Sequence, residues 1–356
     1  MTSFRKMARV GTLASIGAIT VALAVAGCGT SGAGTPAPSG TGSGSAPAAD
    51  LKIGLSVAKL SDPFLLAMIA NAQQTATEQG VTLLPPTNAN SDPAKQSTDV
   101  QTTLSQSPNA ILISPTDAKA IVPAILKANQ MNIPVITLDQ APGGGKVAMV
   151  VRADNVGMGK TGCEEMGRIL NGQGTVLELQ GQLTDVNGRD RSTGFADCMK
   201  SEFPNIKLVQ KPTDWAMDKA TSAVQTVVST QQIDGIFMAS DYFIPGVQKS
   251  LTSLNKWVPV GQSGHVTLIG IDGTPEALGM IRKGYEDATV SQPANLYGEW
   301  AIKYAKAAAQ GETFKAGPTD HGSTIVEVAT GMADLLPAPL VTKKNVDDTT
   351  LWGNAK

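Results

Sequence analysis

Apolar residues along this chain fall into short continuous runs rather than strict alternations. The runs are "LKIGLSV", "AILIS", "PVITLD", "VAMVV", "TVLELQG", "GIFMAS", "VTLIGID" and "DATVSQ". Continuous β-rich runs of this length are expected for strands covered on both faces. Between them lie helical patterns such as "PFLLAMIANAQQTATEQG", where Asp62 can cap, Pro63 takes the first helical position and Gly80 terminates. Repeated β-α units with short loops predict an α/β fold with doubly wound parallel sheets. There are too many units for one small sheet, so two lobes are expected. Ligands of such sheets bind beyond the carboxyl ends of the strands.

The N-terminal region has a different pattern. Arg5, Lys6 and Arg9 precede an uncharged apolar stretch from Val10 to Gly27. That layout predicts a secretory signal over residues 1–27, since the stretch is short for a membrane span and poor in Leu, Ile and Phe. Val25, Ala26, Gly27 and Cys28 resemble a lipobox. The resemblance implies cleavage before Cys28 and lipid on its sulfur and new amino group. Residues 28–50 then form a Gly, Ser, Thr, Pro and Ala tether that cannot bury enough apolar surface to fold. An extracytoplasmic body, lipid-anchored to the cell membrane, is expected.

Composition narrows the function. A formal net charge of −2 with 16% charged residues gives no sign of a nucleic-acid surface. Aromatics are only 4%, so each one in a loop is informative. Cys163 and Cys198 lie in helix-like segments. Outside the cytoplasm they are candidates for a disulfide, with two buried free thiols as the alternative.

The residues after the strands are chemically alike. They include Asp62 and Phe64; Ser114, Thr116 and Asp117; Asp139 and Gln140; and Arg152, Asp154 and Asn155. Further along stand Arg189 and Arg191, Asp214 and Trp215, Ser240, Asp241 and Tyr242, Asp272, and Gln292. Carboxylates accept hydrogen bonds from adjacent hydroxyls at about 1.5–3 kcal/mol each. An aromatic face covers the C–H side of a carbohydrate. The set suits a neutral ligand with many hydroxyls.

The pieces "SDPF", "ISPTD", "IPVITLD", "ADNVGMG", "ELQG", "GRDRSTGF", "IGIDGTPE" and "ATVSQP" occur in one order between Leu51 and about Val328. With them the chain resembles the periplasmic sugar-binding proteins of ABC importers, specifically the ribose-binding-like type 1 family. The resemblance implies two lobes joined by a three-strand hinge that close on ligand. It places residues 51–153 plus 294–324 in the N-terminal lobe and 154–293 plus 325–356 in the C-terminal lobe and tail. It implies ligand contacts at Phe64, Asp139, Arg191, Trp215, Asp272 and Gln292. The chain departs from the family pattern at Asp62, Leu65, Gln140 and Ser240, where the family has Asn, a second stacking Phe, Arg and Asn. Each change removes a donor or an aromatic face. A ring oxygen only accepts, whereas an open-chain polyol can donate from every hydroxyl. The expected ligand is therefore a small sugar alcohol, a tetritol or pentitol such as threitol or xylitol, with a cyclic pentose or hexose as the alternative.

Other readings are weaker. "DNVGMGKT" resembles the end of a phosphate loop, but Asp154 stands where glycine is needed. "GGGK" at Gly143–Lys146 reads as a turn. His265 and His321 have no partner at zinc-ligand spacing, and "DVNGRD" at 185–190 lacks the terminal Glu of a calcium loop. No metal or cofactor is expected. Asp139 and Asp272 could in principle serve a hydrolase as acid and base, but no activated nucleophile is visible. A binding protein, not an enzyme, is the expectation. It would be a monomer partnered by an ABC permease and its ATPase, or alternatively would present ligand to a signalling sensor. Trp257, Trp300 and Trp352 are assigned to packing or surface. The Pro-rich tail is expected to pass back over a lobe.

Overall fold

The computed structural model describes residues 51–355. The signal segment, Cys28 and the tether lie outside the described residues.

All eight apolar runs form strands. In chain order the first half contains β1 (Lys52–Val57), α1 (Pro63–Glu78), β2 (Thr82–Leu83), β3 (Thr87–Asn88), α2 (Pro93–Leu104) and β4 (Ala110–Ile113). It continues through α3 (Val122–Gln130), β5 (Val135–Leu138) and β6 (Met149–Ala153). The second half contains α4 (Asn155–Ile169), β7 (Gly174–Gln180), α5 (Val186–Glu202), β8 (Ile206–Pro212), α6 (Met217–Thr230) and β9 (Gly235–Met238). After these come α7 (Ile244–Ser253), β10 (Thr267–Asp272), α8 (Pro275–Lys283) and β11 (Ala288–Ser291). The chain ends with α9 (Ala294–Ala309), β12 (Gly317–Pro318), β13 (Thr324–Val328), β14 (Gly331–Leu336) and β15 (Leu340–Thr342).

Two sheets result. The nine-stranded sheet runs β12-β13-β14-β6-β5-β4-β1-β2, with β3 also on β1; the six-stranded sheet runs β15-β11-β10-β9-β7-β8. Strands β1, β2, β4, β5, β6 and β14 pair in parallel, as do β7 to β11. Strands β4 and β5 are buried along their whole length, which explains their uninterrupted apolar sequence. Helix α1 starts as its sequence dictates: Asp62 Oδ1 accepts from Phe64 N (2.9 Å) and Pro63 opens the helix.

The chain crosses between the sheets at Ala153–Asn155, Ser291–Ala294 and Leu336–Leu340. These crossings lie side by side. Leu336 pairs with Ala153, and Ser291 N donates to Pro339 O (2.9 Å). The third crossing differs from expectation. Residues 325–336, assigned to the C-terminal lobe, form most of β13 and all of β14 in the first sheet, because β14 pairs in parallel with β6. Only β15 and the tail reach the second sheet, where β15 pairs antiparallel with β11.

Helices α4 and α5 pack closely. A side chain at Gly194 would meet Val156 O at 2.0 Å, so glycine permits the approach. The Sγ atoms of Cys163 on α4 and Cys198 on α5 are 2.01 Å apart, a disulfide. The "GGGK" segment is the loop from β5 to β6, and Asp154 caps α4 by accepting from Gly157 N (2.9 Å). An acid serving as a helix cap does not grip phosphate.

Candidate functional site

The strand ends bring two carboxylates to one cleft, one from each lobe. Asp139 follows β5 with φ +67°; Asp272 ends β10 with φ +128°. Trp215 also takes a positive φ, +58°. Backbone strain of this kind costs about 1–3 kcal/mol per residue and concentrates at functional sites.

The Asp272 carboxylate is heavily braced. Oδ1 accepts from Gln292 Nε2 (2.6 Å) and Arg191 Nη1 (3.3 Å), and Oδ2 accepts from Ser240 Oγ (2.5 Å). Arg191 is itself fixed: Nε donates to Asn155 Oδ1 (2.8 Å) and Nη1 to Ala239 O (2.7 Å). Its guanidinium lies 5.7 Å from the Trp215 ring. Trp215 Nε1 donates to Asp185 Oδ2 (2.5 Å), which pins the indole. Asp241 braces from beneath, accepting from Gly273 N (2.8 Å) and Thr274 N (3.0 Å).

Asp139 is sparsely bonded by comparison. Asn187 Nδ2 donates to its Oδ1 (3.1 Å), and among the described residues nothing donates to Oδ2. Burial pushes this carboxyl up to about 6, against the pull of Arg191 and Arg152. The Asp272 carboxyl is also raised, by burial against the pull of Arg191 and its hydrogen bonds. Gln140, next in the chain to Asp139, is half-buried, and its side chain makes no hydrogen bond among the described residues.

A relay of polar groups links both carboxylates to the hinge. Asn155 Nδ2 donates to Asn187 Oδ1 (3.3 Å), joining Asp139 to Arg191 and hence to Asp272. Tyr297 OH donates to Gln292 Oε1 (3.0 Å) and accepts from Ala153 N (2.5 Å). The lobes also meet through Arg152 Nη2 donating to Asp190 Oδ2 (2.9 Å). Arg152 Nε is buried without a partner.

The expected site residues have differing roles. Arg191, Trp215, Asp272 and Gln292 are drawn together by the contacts above, Asp139 joins them through Asn187 and Asn155, Phe64 meets Tyr297 and Trp352, and Gln140 adjoins Asp139 in the chain. Asp62 Oδ1 is engaged in capping α1, although its charge still raises Asp272. Leu65 is buried in the core. Ser240 spends its hydroxyl on Asp272 and on accepting from Tyr242 N (3.2 Å). Tyr242 is 58% exposed, its ring edge-on to Phe243.

Three contributors escaped sequence reasoning. Asn187 sits in "DVNGRD", weighed only as a calcium loop. Tyr297 is a buried residue of α9 that the strand-end rule does not reach. Trp352, assigned to packing or surface, does pack, meeting the Phe64 ring at 5.8 Å, and it also donates Nε1 to Asp272 O (2.8 Å). Trp257 and Trp300 do pack, against Tyr285 and against Tyr304 and His321. Among the described residues no group of three or more His, Cys, Asp or Glu is placed to hold a metal ion.

Two hinged α/β lobes that bring one acidic wall each to a shared cleft define an extracytoplasmic solute-binding protein. Residues 53–313 match the periplasmic binding protein domain, and the chain belongs to that family, as a type 1 periplasmic sugar-binding protein. It is 30% identical over 265 residues to the ribose import binding protein of Escherichia coli (strain K12), covering 74% of this chain and 86% of that protein. It is 27% identical over 263 residues to the xylitol-binding protein of Mycolicibacterium smegmatis, covering 73% of this chain and 68% of that protein. Among solved structures, an ABC transporter solute binding protein from Mycobacterium smegmatis with bound glycerol superposes with a TM-score of 0.71 at 29% identity. The match covers 84% of this chain and 96% of that one. These relatives bind and deliver solutes and are not enzymes. Among the described residues no helix is long and apolar enough to cross a membrane.

Proposed function

We propose that this protein captures a small sugar alcohol, a tetritol or pentitol such as threitol or xylitol, by closing its lobes, and hands it to an ABC permease. A lipid on Cys28 would hold it at the membrane; the Val25–Cys28 sequence supports that anchor. One observation carries the ligand class. The least-bonded carboxylate of the cleft, Asp139, accepts a single hydrogen bond, and the residue that follows it in the chain is the neutral Gln140. Such a site gains most from a ligand that donates from successive hydroxyls. The relatives with xylitol and glycerol in their names support the same class.

A cyclic pentose is the second reading, favoured by Arg152. Its buried, unpartnered Nε is a donor that a ring oxygen could accept from.

A thermal-shift panel of tetritols, pentitols, hexitols, aldopentoses and aldohexoses on residues 50–356 separates the two. Ligand at 100 times its Kd stabilises by about 2.7 kcal/mol. A shift with the alditols alone is expected. A shift with the aldoses alone keeps the sugar-binding class and discards the polyol. No shift with any of them removes both.

A further inference from the structure

The C-terminal tail lies outside the span matched to the family. It is firmly docked on the second lobe. Val341, Val346 and Leu351 bury against Leu278 and Ile281 of α8. Arg282 clamps it, donating from Nε to Asp347 Oδ1 (2.7 Å) and from Nη2 to Val346 O (2.9 Å) and Asn354 Oδ1 (2.5 Å). A side chain at Gly353 would meet Gly273 O at 2.2 Å, so the tail touches the loop that carries Asp272.

This anchorage places one residue at the cleft. Trp352, 6% exposed, reaches the backbone of Asp272 through Nε1 and lays its ring edge-on to Phe64 of the first lobe at 79°. Phe64 is held on its other side by Tyr297 at 5.4 Å. The indole therefore ties the second lobe's acidic loop to the first lobe's aromatic wall.

We propose that Trp352 is a positioning residue of the ligand site, a clasp supplied by the tail that retains the solute once the lobes have met. The Phe64–Trp352 contact is made without ligand, and a bound solute leaves only when that contact parts, so losing the clasp acts on release more than on capture. The solute identity rests on the polyol reading; the clasp itself does not.

Two measurements test it. The first needs no ligand: a double-mutant cycle of Phe64→Ala and Trp352→Ala on the melting temperature of the free protein. An edge-on aromatic pair predicts non-additivity of about 2–4 °C; additive effects overturn the clasp whatever the protein binds. The second is stopped-flow binding with xylitol and with D-ribose as probes. Trp352→Ala should raise the dissociation rate of the bound probe about tenfold with little change in association rate, and Trp352→Phe should restore part of the retention. A Trp352→Ala protein that melts earlier but releases the probe at the wild-type rate reduces Trp352 to packing. If neither probe binds wild type, the polyol and pentose readings fail together, while the melting cycle still judges the clasp.

Discussion

The two acidic walls of the cleft are built in opposite ways. Asp272 arrives with its oxygens engaged by Arg191, Gln292 and Ser240, its loop held by Asp241 and its carbonyl by Trp352. Asp139 arrives with a single bond from Asn187 and a carboxyl raised by burial. Groups that must not move are fixed within the fold. The group with spare acceptor capacity is the one a ligand can satisfy. On the proposed reading, the second lobe supplies a rigid half-site and the first supplies the half that gains most from solute.

If that contrast is right, the heaviest penalty on stability follows from breaking the rigid wall. Asp272→Ala leaves Arg191 buried without its carboxylate. Losing one partner of a buried pair costs about 3–5 kcal/mol, so both the urea midpoint and binding should collapse together. A variant as stable as wild type would mean that Arg191 is satisfied by Asn155 and Ala239 alone. Next comes the scaffold beneath that wall. Replacing Cys163 and Cys198 with serine frees a link across 35 residues of sequence. It should remove about 3–4 kcal/mol, seen equally on reducing the wild type, while probe affinity in the surviving folded protein holds.

The sparsely bonded wall should respond differently. Asp139→Asn should weaken solute binding about 100-fold, the energy of one strong charge-assisted hydrogen bond. It should cost no stability at neutral pH, because an amide is cheaper to bury than this carboxylate. The pH dependence follows from the same group. Hydroxyl donors need the ionised form, and in the free protein that form is lost as pH falls through about 6. Affinity by calorimetry should be flat above that value and fall by up to about tenfold per pH unit below it. Asp139→Asn should abolish the slope. A slope that persists in the variant assigns it to another carboxyl.

Much of this arrangement was legible in the chain. Buried parallel strands need unbroken apolar runs, and all eight such runs became strands. Edge strand β8 escaped because Lys207, Gln210 and Lys211 interrupt its apolar positions at an exposed sheet edge. The rule for strand ends places Asp139, Asp272 and Gln292, and they do stand at the ends of β5, β10 and β11. Asp62 satisfied two rules at once, cap and ligand contact, and sequence cannot say which claims the oxygen. Trp352 meets a partner 80 residues away. Such a contact depends on where the tail docks, and no local pattern encodes that. The lobe boundary near 325 failed for the same reason: β14 joins the first sheet by pairing with a strand formed far earlier in the chain.

Ser240 offers the smallest and sharpest test of the comparison. Its hydroxyl donates to Asp272 Oδ2 and accepts from Tyr242 N, so within the fold both its functions are already used. If Ser240 belongs to the rigid wall, Ser240→Ala should cost about 1 kcal/mol of stability. Affinity should then change only slightly, because the freed oxygen of Asp272 becomes available to a solute hydroxyl. If Ser240 instead turns toward the ligand on binding, the variant should keep its melting temperature and lose affinity. Melting and calorimetry on one variant therefore decide whether the wall that looks finished in the free protein is also finished in the complex.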